Sequence, residues 1–490
     1  MASLLIGATW CIVAWGALAF GAVYPWAWRP LITASAVIGV AAWIVAWRQG
    51  ARANDRAVLA ALGCVALAAL CQLAPLPRDA RLAISPGNET LLLEQNLEYA
   101  AAIRLSGVAA DGSGLATPDA VASQPLSIAP AATARAVVLL VGFTLLLGGL
   151  TRLIHVTGAR TLCTGLVVVG ALLAVIGIVQ KATLGDHAAL GMRIYGFWAP
   201  QNPLTTPFGP FVNKNHFAGW MLMALPVALG LGLGWAERAS RRMGQGWRDA
   251  MSWLSSPDVG KLQLAVLVVL LMGVSLAMTK SRSGIAGFVA AAMLGTVVVG
   301  RRFGTGSTRW LGVGGLVLVV VGMFAWAGVD VGERFSAGAG AVDLRRHIWH
   351  DSGRVVRDFP LVGTGLNTFG QAMLSYQSTL RATHFQEAHN DYLQILVEGG
   401  LLIAVPAGVA LLLLVRAIRQ RFGLQQDDGT TYWLRVGATI GLVAIGLQSL
   451  VEFSLQMPGN AALCVVLMAI ALHETPTRYT RRHNGGPSQP

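Results

Sequence analysis

Charged side chains are scarce in this sequence. Asp, Glu, Lys and Arg make up only 12% of its 490 residues, whereas 54% are hydrophobic. An average soluble domain carries roughly 25% charged residues. So few charges cannot cover the surface of a water-soluble chain of this length, which excludes a set of soluble domains and indicates a protein solvated by lipid.

Acidic residues and cysteines are scarcer still. The chain has 23 Asp and Glu against 36 Lys and Arg, a net charge of +13, but no basic stripe with interleaved aromatics that would indicate nucleic acid. In a membrane protein this excess belongs on cytoplasmic loops and beside anionic lipid headgroups. The five cysteines all lie inside apolar runs, which predicts neither disulfides nor a zinc site. The polar loops lack a D-x-D motif and any His/Glu cluster, so we expect no metal ion and no cofactor.

Long apolar runs dominate the chain instead. A helix needs about 20 apolar residues to cross a hydrocarbon layer of ~30 Å, and twelve runs approach this length. They lie near residues 4–23, 30–47, 57–74, 133–150, 161–180, 216–235, 262–279, 284–300, 310–328, 391–415, 436–453 and 460–473. The sequence therefore predicts an all-α integral membrane protein with about twelve transmembrane helices and helical loops outside the membrane.

The basic residues predict the orientation of the spans. If the N terminus is cytoplasmic, more than half of the 36 Lys and Arg fall on cytoplasmic segments, as the positive-inside rule requires. Both termini are then cytoplasmic, and the long polar loops lie on the outer face. The first run contains Trp10 and Trp15 and follows no basic segment, so we expect a retained span and not a cleaved signal peptide.

Three outer stretches are too long to be connectors, namely residues 75–132, 181–215 and 329–390. Loops of such length are uncommon unless they are functional or disordered. Within the first, Leu91–Leu105 has helical periodicity and is expected along the membrane surface. The last contains a basic helical segment followed by a glycine turn. The predicted units are 1–132, with three spans and a polar insert at 75–132; 133–328, the middle spans with the polar loop 181–215; 329–390, a large periplasmic loop; 391–473, the C-terminal spans; and 474–490, a cytoplasmic tail.

Polar residues cluster at the outer ends of three spans. They are N-K-N-H at Asn213–His216, K-S-R-S-G at Lys280–Gly284 and H-N-D-Y-L-Q at His389–Gln394. These stretches are far apart in the sequence, but the predicted topology places all three at one membrane face. This convergence predicts a functional site there.

The first two clusters are suited to an anion. Arg282 offers a rigid fork of donors that matches phosphate oxygens, and Lys280 adds a point charge. Asn213, Lys214 and His216 open a predicted helix, whose free N–H groups favour an anion. Two structural alternatives stay open, namely lipid-headgroup anchoring by the basic turn and capping of the helix by an asparagine.

The third cluster contains the candidate general base, His389. Free histidine titrates near neutral pH, which suits proton abstraction, and Asp391 supplies a carboxylate alongside. Glu398 lies further along the same span and is expected to face the protein interior, because a carboxylate is costly in lipid. Glu452 raises the same question in another apolar run. The alternatives are a structural role for the histidine and hydrogen-bonding roles for the two glutamates.

The large loop adds a further basic and aromatic segment. Arg345, Arg346 and Trp349 present cations and a ring of the kind that hold anions and sugars. The G-T-G that follows is too weak to indicate a nucleotide loop, since no lysine follows at the required spacing. Without a metal site, Arg and Lys must neutralise the charge of any leaving group.

Taken in order, these motifs resemble the O-antigen ligase and O-antigen polymerase family. The matching stretches, within about residues 205–415, are F-V-N-K-N-H-F-A-G, S-R-S-G, R-x-x-I-W, G-T-G-L-N-T-F and H-N-D-Y-L-Q-I-L-V-E-G-G-L. The resemblance implies a GT-C-like glycosyltransferase of the bacterial inner membrane. It would transfer an oligosaccharide or polysaccharide from undecaprenyl diphosphate to a glycan hydroxyl on the periplasmic face, with inversion and without a metal ion.

The resemblance also implies roles for individual residues. Arg282 would bind the diphosphate together with Lys280 and Lys214, although relatives often have Arg in place of Lys214. His389 would activate the acceptor hydroxyl. The implied partners are the lipid-linked donor, an acceptor that is a lipid-linked chain or the lipid A core, and membrane lipids. The remaining candidates, as substrate contacts or as support for them, are His216, Asn213, Arg346, Tyr392 and Glu398.

Several functions compete with one another at this point. Within the family the candidates are a polymerase, a ligase and a protein glycosylation enzyme, and the large loops favour a polymerase because they could hold two glycan chains. A polysaccharide or lipid-linked-sugar transporter is the alternative from another class. Transporters concentrate ionisable groups at the bilayer midplane between repeated halves, whereas the clusters here lie at one rim, an arrangement that also disfavours a purely structural scaffold.

Overall fold

The structure is a computed structural model that describes most of the chain. The described residues are 1–51, 55–108, 123–184, 193–200, 205–242, 257–302, 339–379, 384–423 and 429–474. Within them the protein contains sixteen α-helices and one short two-stranded sheet, which confirms the predicted all-α membrane architecture.

Within the described residues, eleven apolar helices form the membrane bundle. In chain order the elements are α1 (Ala2–Leu18), α2 (Pro25–Arg48), α3 (Arg56–Cys71), β1 (Pro75–Pro77), α4 (Arg78–Ile84), α5 (Pro86–Gln95), α6 (Leu97–Val108), β2 (Ser123–Pro125), α7 (Pro130–Thr157), α8 (Arg160–Leu184), α9 (Lys214–Arg242), α10 (Pro257–Met278), α11 (Arg282–Arg302), α12 (Ala339–Asp358), α13 (Phe369–Tyr376), α14 (Asp391–Phe422), α15 (Gly429–Gln448) and α16 (Pro458–Ala471). Eight of the described helices are long and apolar enough to cross a membrane, and α1, α3 and α16 are shorter apolar helices.

Each predicted span within the described residues corresponds to one of these helices, although several predicted ends differ from the helix ends by up to about seven residues. The predicted span 436–453 is α15, which begins at Gly429 and ends at Gln448. The residues after it form a turn and the short 3-10 helix Ser454–Gln456. The predicted surface helix is interrupted at Asn96, between α5 and α6. The predicted span 310–328 lies outside the described residues.

Three bundle helices, α9, α11 and α14, begin at the same end of the bundle, which we call the loop end. The end of α15 connects two of them, because Gln448 Nε2 donates to the carbonyl of Asn215 at 3.2 Å and to Ser283 Oγ at 3.3 Å. At the opposite end, Arg152 forms a buried ion pair with Asp55 at 2.8 Å. The three polar clusters therefore emerge at one end of the bundle.

The polar insert and the large loop fold together on the loop end. The strands β1 and β2 pair antiparallel, so the insert begins and ends at one place. Leu91 of α5 and Phe359, just after α12, share one buried apolar cluster. Gln72, at the end of α3, donates a hydrogen bond to the carbonyl of Val362 at 2.7 Å. This outer layer is thereby attached directly to the bundle.

Close approach of α2 and α7 depends on two glycines. A Cβ atom on Gly149 would lie 2.1 Å from the carbonyl oxygen of Gly39, and one on Gly39 would lie 2.4 Å from that of Leu145. Membrane helices associate chiefly through packing, so small residues occur where backbones approach closely. This contact therefore leaves no space for a larger side chain.

We expect Gly149→Ala to force α2 and α7 apart and to destabilise the protein by about 1–3 kcal/mol. Gly63 on α3 provides the matched control, since a Cβ atom there would meet nothing within 4 Å, and Gly63→Ala should be neutral or slightly stabilising. The thermal unfolding midpoint of the detergent-solubilised variants measures both effects. An unchanged midpoint for Gly149→Ala would contradict the close approach.

Candidate functional site

Two of the polar clusters, N-K-N-H and H-N-D-Y-L-Q, meet around Glu452, in the turn after α15. Its side chain is 1% exposed. Oε1 accepts hydrogen bonds from Asn215 Nδ2 at 2.8 Å and from Arg345 Nη2 at 2.6 Å. Oε2 lies 3.5 Å from His389 Nδ1. One buried carboxylate therefore joins α9, α12 and the segment that precedes α14.

The N-K-N-H stretch forms the start of α9. The side-chain oxygen of Asn213 accepts a hydrogen bond from the backbone N–H of Asn215 at 2.9 Å, so Asn213 has the capping role that stood as its structural alternative. Lys214 lies half-buried at the first position of the helix. His216 is buried, and its ring meets that of Phe453 edge-on with 4.8 Å between ring centres.

The K-S-R-S-G stretch forms the turn between α10 and α11. Lys280 has a φ of +52°, a left-handed conformation that is uncommon for a residue with a side chain. Ser281 Oγ accepts a hydrogen bond from the N–H of Gly284 at 3.2 Å. A Cβ atom on Gly284 would lie 2.7 Å from that of Ala218 on α9. The glycine therefore lets the start of α11 lie directly against α9.

Arg282 occupies the first position of α11 and is half-buried. Among the residues described, none forms a hydrogen bond or an ion pair with its guanidinium. The dipole of a helix disfavours a cation at its N terminus and favours an anion there. An anionic ligand at this position would therefore satisfy both the guanidinium and the helix.

His389 lies in the turn before α14 and also has a left-handed backbone, with φ of +50°. Its side chain is 31% exposed, and its ring centre lies 4.8 Å from that of Phe453. Phe453 thus contacts the rings of both His216 and His389. Asn390 caps α14 by accepting the backbone N–H of Leu393 at 3.0 Å. Non-glycine residues in this conformation are frequent at functional sites, where the surrounding structure holds them.

The charge of Glu452 follows from its neighbours. Burial by itself would raise the pKa of its carboxyl, but His389, Arg345 and His216 more than offset burial, and the pKa lies below its ordinary value. Glu452 is therefore an anion at neutral pH. An anion beside Nδ1 orients the imidazole of His389 and leaves Nε2 for a ligand.

Glu398 supports the large loop instead of joining Glu452. It is buried in α14, and its carboxylate accepts the backbone N–H groups of Asn367 at 2.7 Å and Phe369 at 3.1 Å. These two residues belong to the G-T-G-L-N-T-F stretch. The structure thus shows the hydrogen-bonding role that was the alternative for this glutamate.

Two further candidates lie apart from the Glu452 carboxylate. Tyr392 is exposed on the first turn of α14, and its hydroxyl donates to the carbonyl of Gly446 at 2.9 Å. Arg346 is exposed on α12, whereas its neighbour Arg345 carries the ion pair with Glu452.

Sequence reasoning missed the residues that connect the clusters. Asn215 and Gln448 were not singled out, and Glu452 was only questioned. The sequence does contain a signal for Gln448 and Glu452. Both are polar residues inside the predicted apolar run 436–453, and polar groups in such a run are expected to pair. No comparable signal marks Asn215 among the four polar residues of its stretch.

The comparison with known families agrees with the motifs. The O-antigen ligase family model matches residues 267–406, from within α10 to within α14. A comparison with curated proteins finds no match. The matched segment contains Lys280, Arg282, Arg346, His389, Tyr392 and Glu398. The predicted resemblance is thereby confirmed over residues 267–406.

Proposed function

We propose that the protein transfers an oligosaccharide or polysaccharide from undecaprenyl diphosphate to a hydroxyl of a glycan acceptor, with inversion and without a metal ion. The family match supports glycan transfer of the O-antigen ligase and polymerase type. The junction at Glu452 carries the finer proposal. His389 lies 3.5 Å from Glu452, and hydrogen bonds through Asn215 and Gln448 connect Glu452 to the turn that contains Arg282. In this proposal the loop end faces the periplasm of a bacterial inner membrane, and both termini are cytoplasmic.

The diphosphate of the donor is assigned to Arg282, with Lys280 and Lys214 beside it. A guanidinium binds two phosphate oxygens at once, and the positive ends of the helix dipoles at the starts of α9 and α11 favour the same anion. These cations would neutralise the charge that develops on the leaving undecaprenyl diphosphate. His216 and Asn213 would shape the start of α9 beneath that anion.

An apolar cavity beneath these cations suits the lipid of the donor. It lies between α9, α10, α11 and α15, with Leu222, Phe288 and Trp433 among its lining residues. Phe288 follows Arg282 by six residues on α11, which corresponds to about 9 Å along a helix. We assign the cavity to part of the polyprenyl chain, because a tail attached to the diphosphate needs apolar surface within this distance.

The acceptor hydroxyl is assigned to His389. Nε2 would take the hydroxyl proton while the oxygen attacks the anomeric carbon from the face opposite the diphosphate, and the bond from that carbon to the diphosphate breaks. Inversion follows from this single displacement. Glu452 would hold the ring and stabilise the imidazolium that forms. A general base of this kind contributes a factor of about 10² to 10⁴ in rate.

We propose another lipid-linked chain as the acceptor, which makes the protein a polymerase and not a ligase to lipid A core or a protein O-oligosaccharyltransferase. The outer layer formed by the insert and the large loop supports this choice, since it offers surface for a second glycan. Arg346, exposed on that layer, and Tyr392 would contact sugars. Gel analysis of polysaccharide from a deletion strain separates the candidates: single repeats on the core indicate a polymerase, and polymer left on the carrier lipid indicates a ligase.

His389→Ala should abolish transfer while leaving membrane insertion intact, with a loss of about 10² to 10⁴ in rate if only the base is removed. The assay is transfer by the reconstituted protein from an undecaprenyl-diphosphate oligosaccharide to a glycan acceptor. His384→Ala is the control, because His384 is exposed on the same segment, and it should stay active. Normal product from His389→Ala would exclude the histidine as the base.

Arg282→Lys should be severely impaired, because a point charge cannot replace the two-pronged contact of a guanidinium with the diphosphate. The same substitution at Arg301, exposed near the far end of α11, tests whether any Arg→Lys change on this helix has an effect. Donor binding and transfer are measured in the same reconstituted system. Full activity of Arg282→Lys would favour the lipid-anchoring alternative.

Glu452→Gln should lower kcat with little change in KM, because Glu452 acts through His389 and does not touch the substrate. Glu452→Asp should restore part of the rate by restoring the anion, which a merely structural role would not predict. Glu94→Gln, an exposed glutamate on α5, serves as the control. If Gln and Asp at position 452 are equally impaired, the carboxylate charge has no part in the reaction.

A further inference from the structure

Aromatic rings form one cluster at the loop end. Phe20 and Trp198 are stacked with 4.9 Å between ring centres, and Tyr24 and Trp26 are parallel at 6.3 Å. The rings come from the end of α1, the turn into α2, and residues 193–198. We call the cluster the aromatic platform, and its members are Trp15, Phe20, Tyr24, Trp26, Tyr195, Phe197 and Trp198.

The backbone holds the platform in a defined shape. Phe20, Ala22 and Tyr195 have φ values of 61°, 57° and 56°, a conformation that residues with side chains rarely adopt. Tyr195 donates its hydroxyl to the carbonyl of Leu18 at 2.7 Å. The Nε1–H of Trp198 points to the Tyr24 hydroxyl at 3.3 Å. Polar tips and backbone together therefore fix the rings against one another.

The platform adjoins the N-K-N-H stretch. A Cβ atom on Gly21 would lie 3.1 Å from the ring of Phe211, which leads into that stretch. A Cβ atom on Gly459, at the start of α16, would lie 3.0 Å from the carbonyl oxygen of Gly21. The next residue, Asn460, donates to the carbonyl of His216 at 3.0 Å. The same helix start thus contacts both the platform and the proposed donor site.

The exposed faces of the platform have the chemistry of a sugar-binding surface. Trp26, Tyr195 and Phe197 are 48%, 41% and 67% exposed. A pyranose ring presents a flat face of C–H groups with hydroxyls at its edge. Flat aromatic rings with polar groups at their margins match such a face, and aromatic lining with a few placed polar groups is typical of small-molecule sites.

Lipid anchoring explains the platform less well. Aromatic residues of a membrane interface contact headgroups individually, as Trp47 would at the other end of α2, where it is 73% exposed. Such anchoring needs neither stacking between segments about 175 residues apart nor three left-handed residues. An aromatic cluster that is held in a fixed arrangement, partly exposed and next to a polar site is typical of a binding surface.

We propose that the aromatic platform is a saccharide-binding subsite, which holds a sugar of the glycan chain where that chain leaves the transfer site. This inference rests on the proposed function, since the platform would bind the transferred glycan at a distance from the reacting bond. It assigns a role to the N-terminal spans, which lie outside the segment matched by the family.

Direct binding tests the subsite without requiring transfer. Oligosaccharide fragments of the producing strain's surface polysaccharide are added to the full-length protein in nanodiscs, and binding is followed by magnetisation transfer from aromatic protons to the sugar. Wild type and His389→Ala should bind equally, because the platform does not include the base. Trp26→Ala should bind at least about tenfold more weakly, as expected for a central aromatic contact.

Two further variants keep the test decisive. Phe197→Ala removes a largely exposed ring and should weaken binding even if Trp26→Ala proves unstable, whereas Trp47→Ala should bind as wild type does. Wild-type binding by both platform variants, or an equal loss in Trp47→Ala, would overturn the subsite. Loss of membrane retention with unchanged sugar binding would identify the platform as a lipid anchor. Binding that persists in His389→Ala while transfer is absent from wild type would refute the proposed function and leave the subsite standing.

Discussion

Burial of a single negative charge is the constraint on which the loop end depends. A carboxylate as buried as that of Glu452 is stable only if cations and hydrogen-bond donors surround it. Arg345, Asn215 and His389 supply them, and each comes from a different element. Satisfying this one charge therefore brings together segments more than two hundred residues apart. Removing any of these elements would leave a charge without compensation.

The same end of the molecule is held rigid by hydrogen bonds to the backbone. Glu398 accepts two N–H groups of the glycine-rich stretch, and Gln72 donates to carbonyls at Val362 and Glu398. Lys280 and His389 both have left-handed backbone, Lys280 in the turn between α10 and α11 and His389 just before α14. In the proposed reaction, a site built in this way would position cation and imidazole before any ligand arrives, which is the condition for electrostatic stabilisation of a leaving group.

Much of the fold was predictable because hydropathy is a property of short stretches. The positions of the described helices and the outer ends with their three polar clusters follow from local composition. The boundary of α15 was predicted too far along the chain, since Leu450 and Val451 are apolar residues of a turn and hydropathy does not distinguish a turn from a helix. Glu398 was named as a substrate contact or as support for one, and its hydrogen-bond partners, which lie about thirty residues away, leave no local pattern.

The sequence by itself determined that this is an all-α membrane protein, which of the described stretches form its apolar helices, and which family its motifs resemble. Each of these depends on composition or order along the chain. Only the tertiary structure decided that Glu452 joins the clusters, that Arg345 and not Arg346 turns inward, and that two distant segments stack their rings beside the site. The energy of a buried charge or a ring contact depends on distances in three dimensions, and no pattern along the sequence carries those distances.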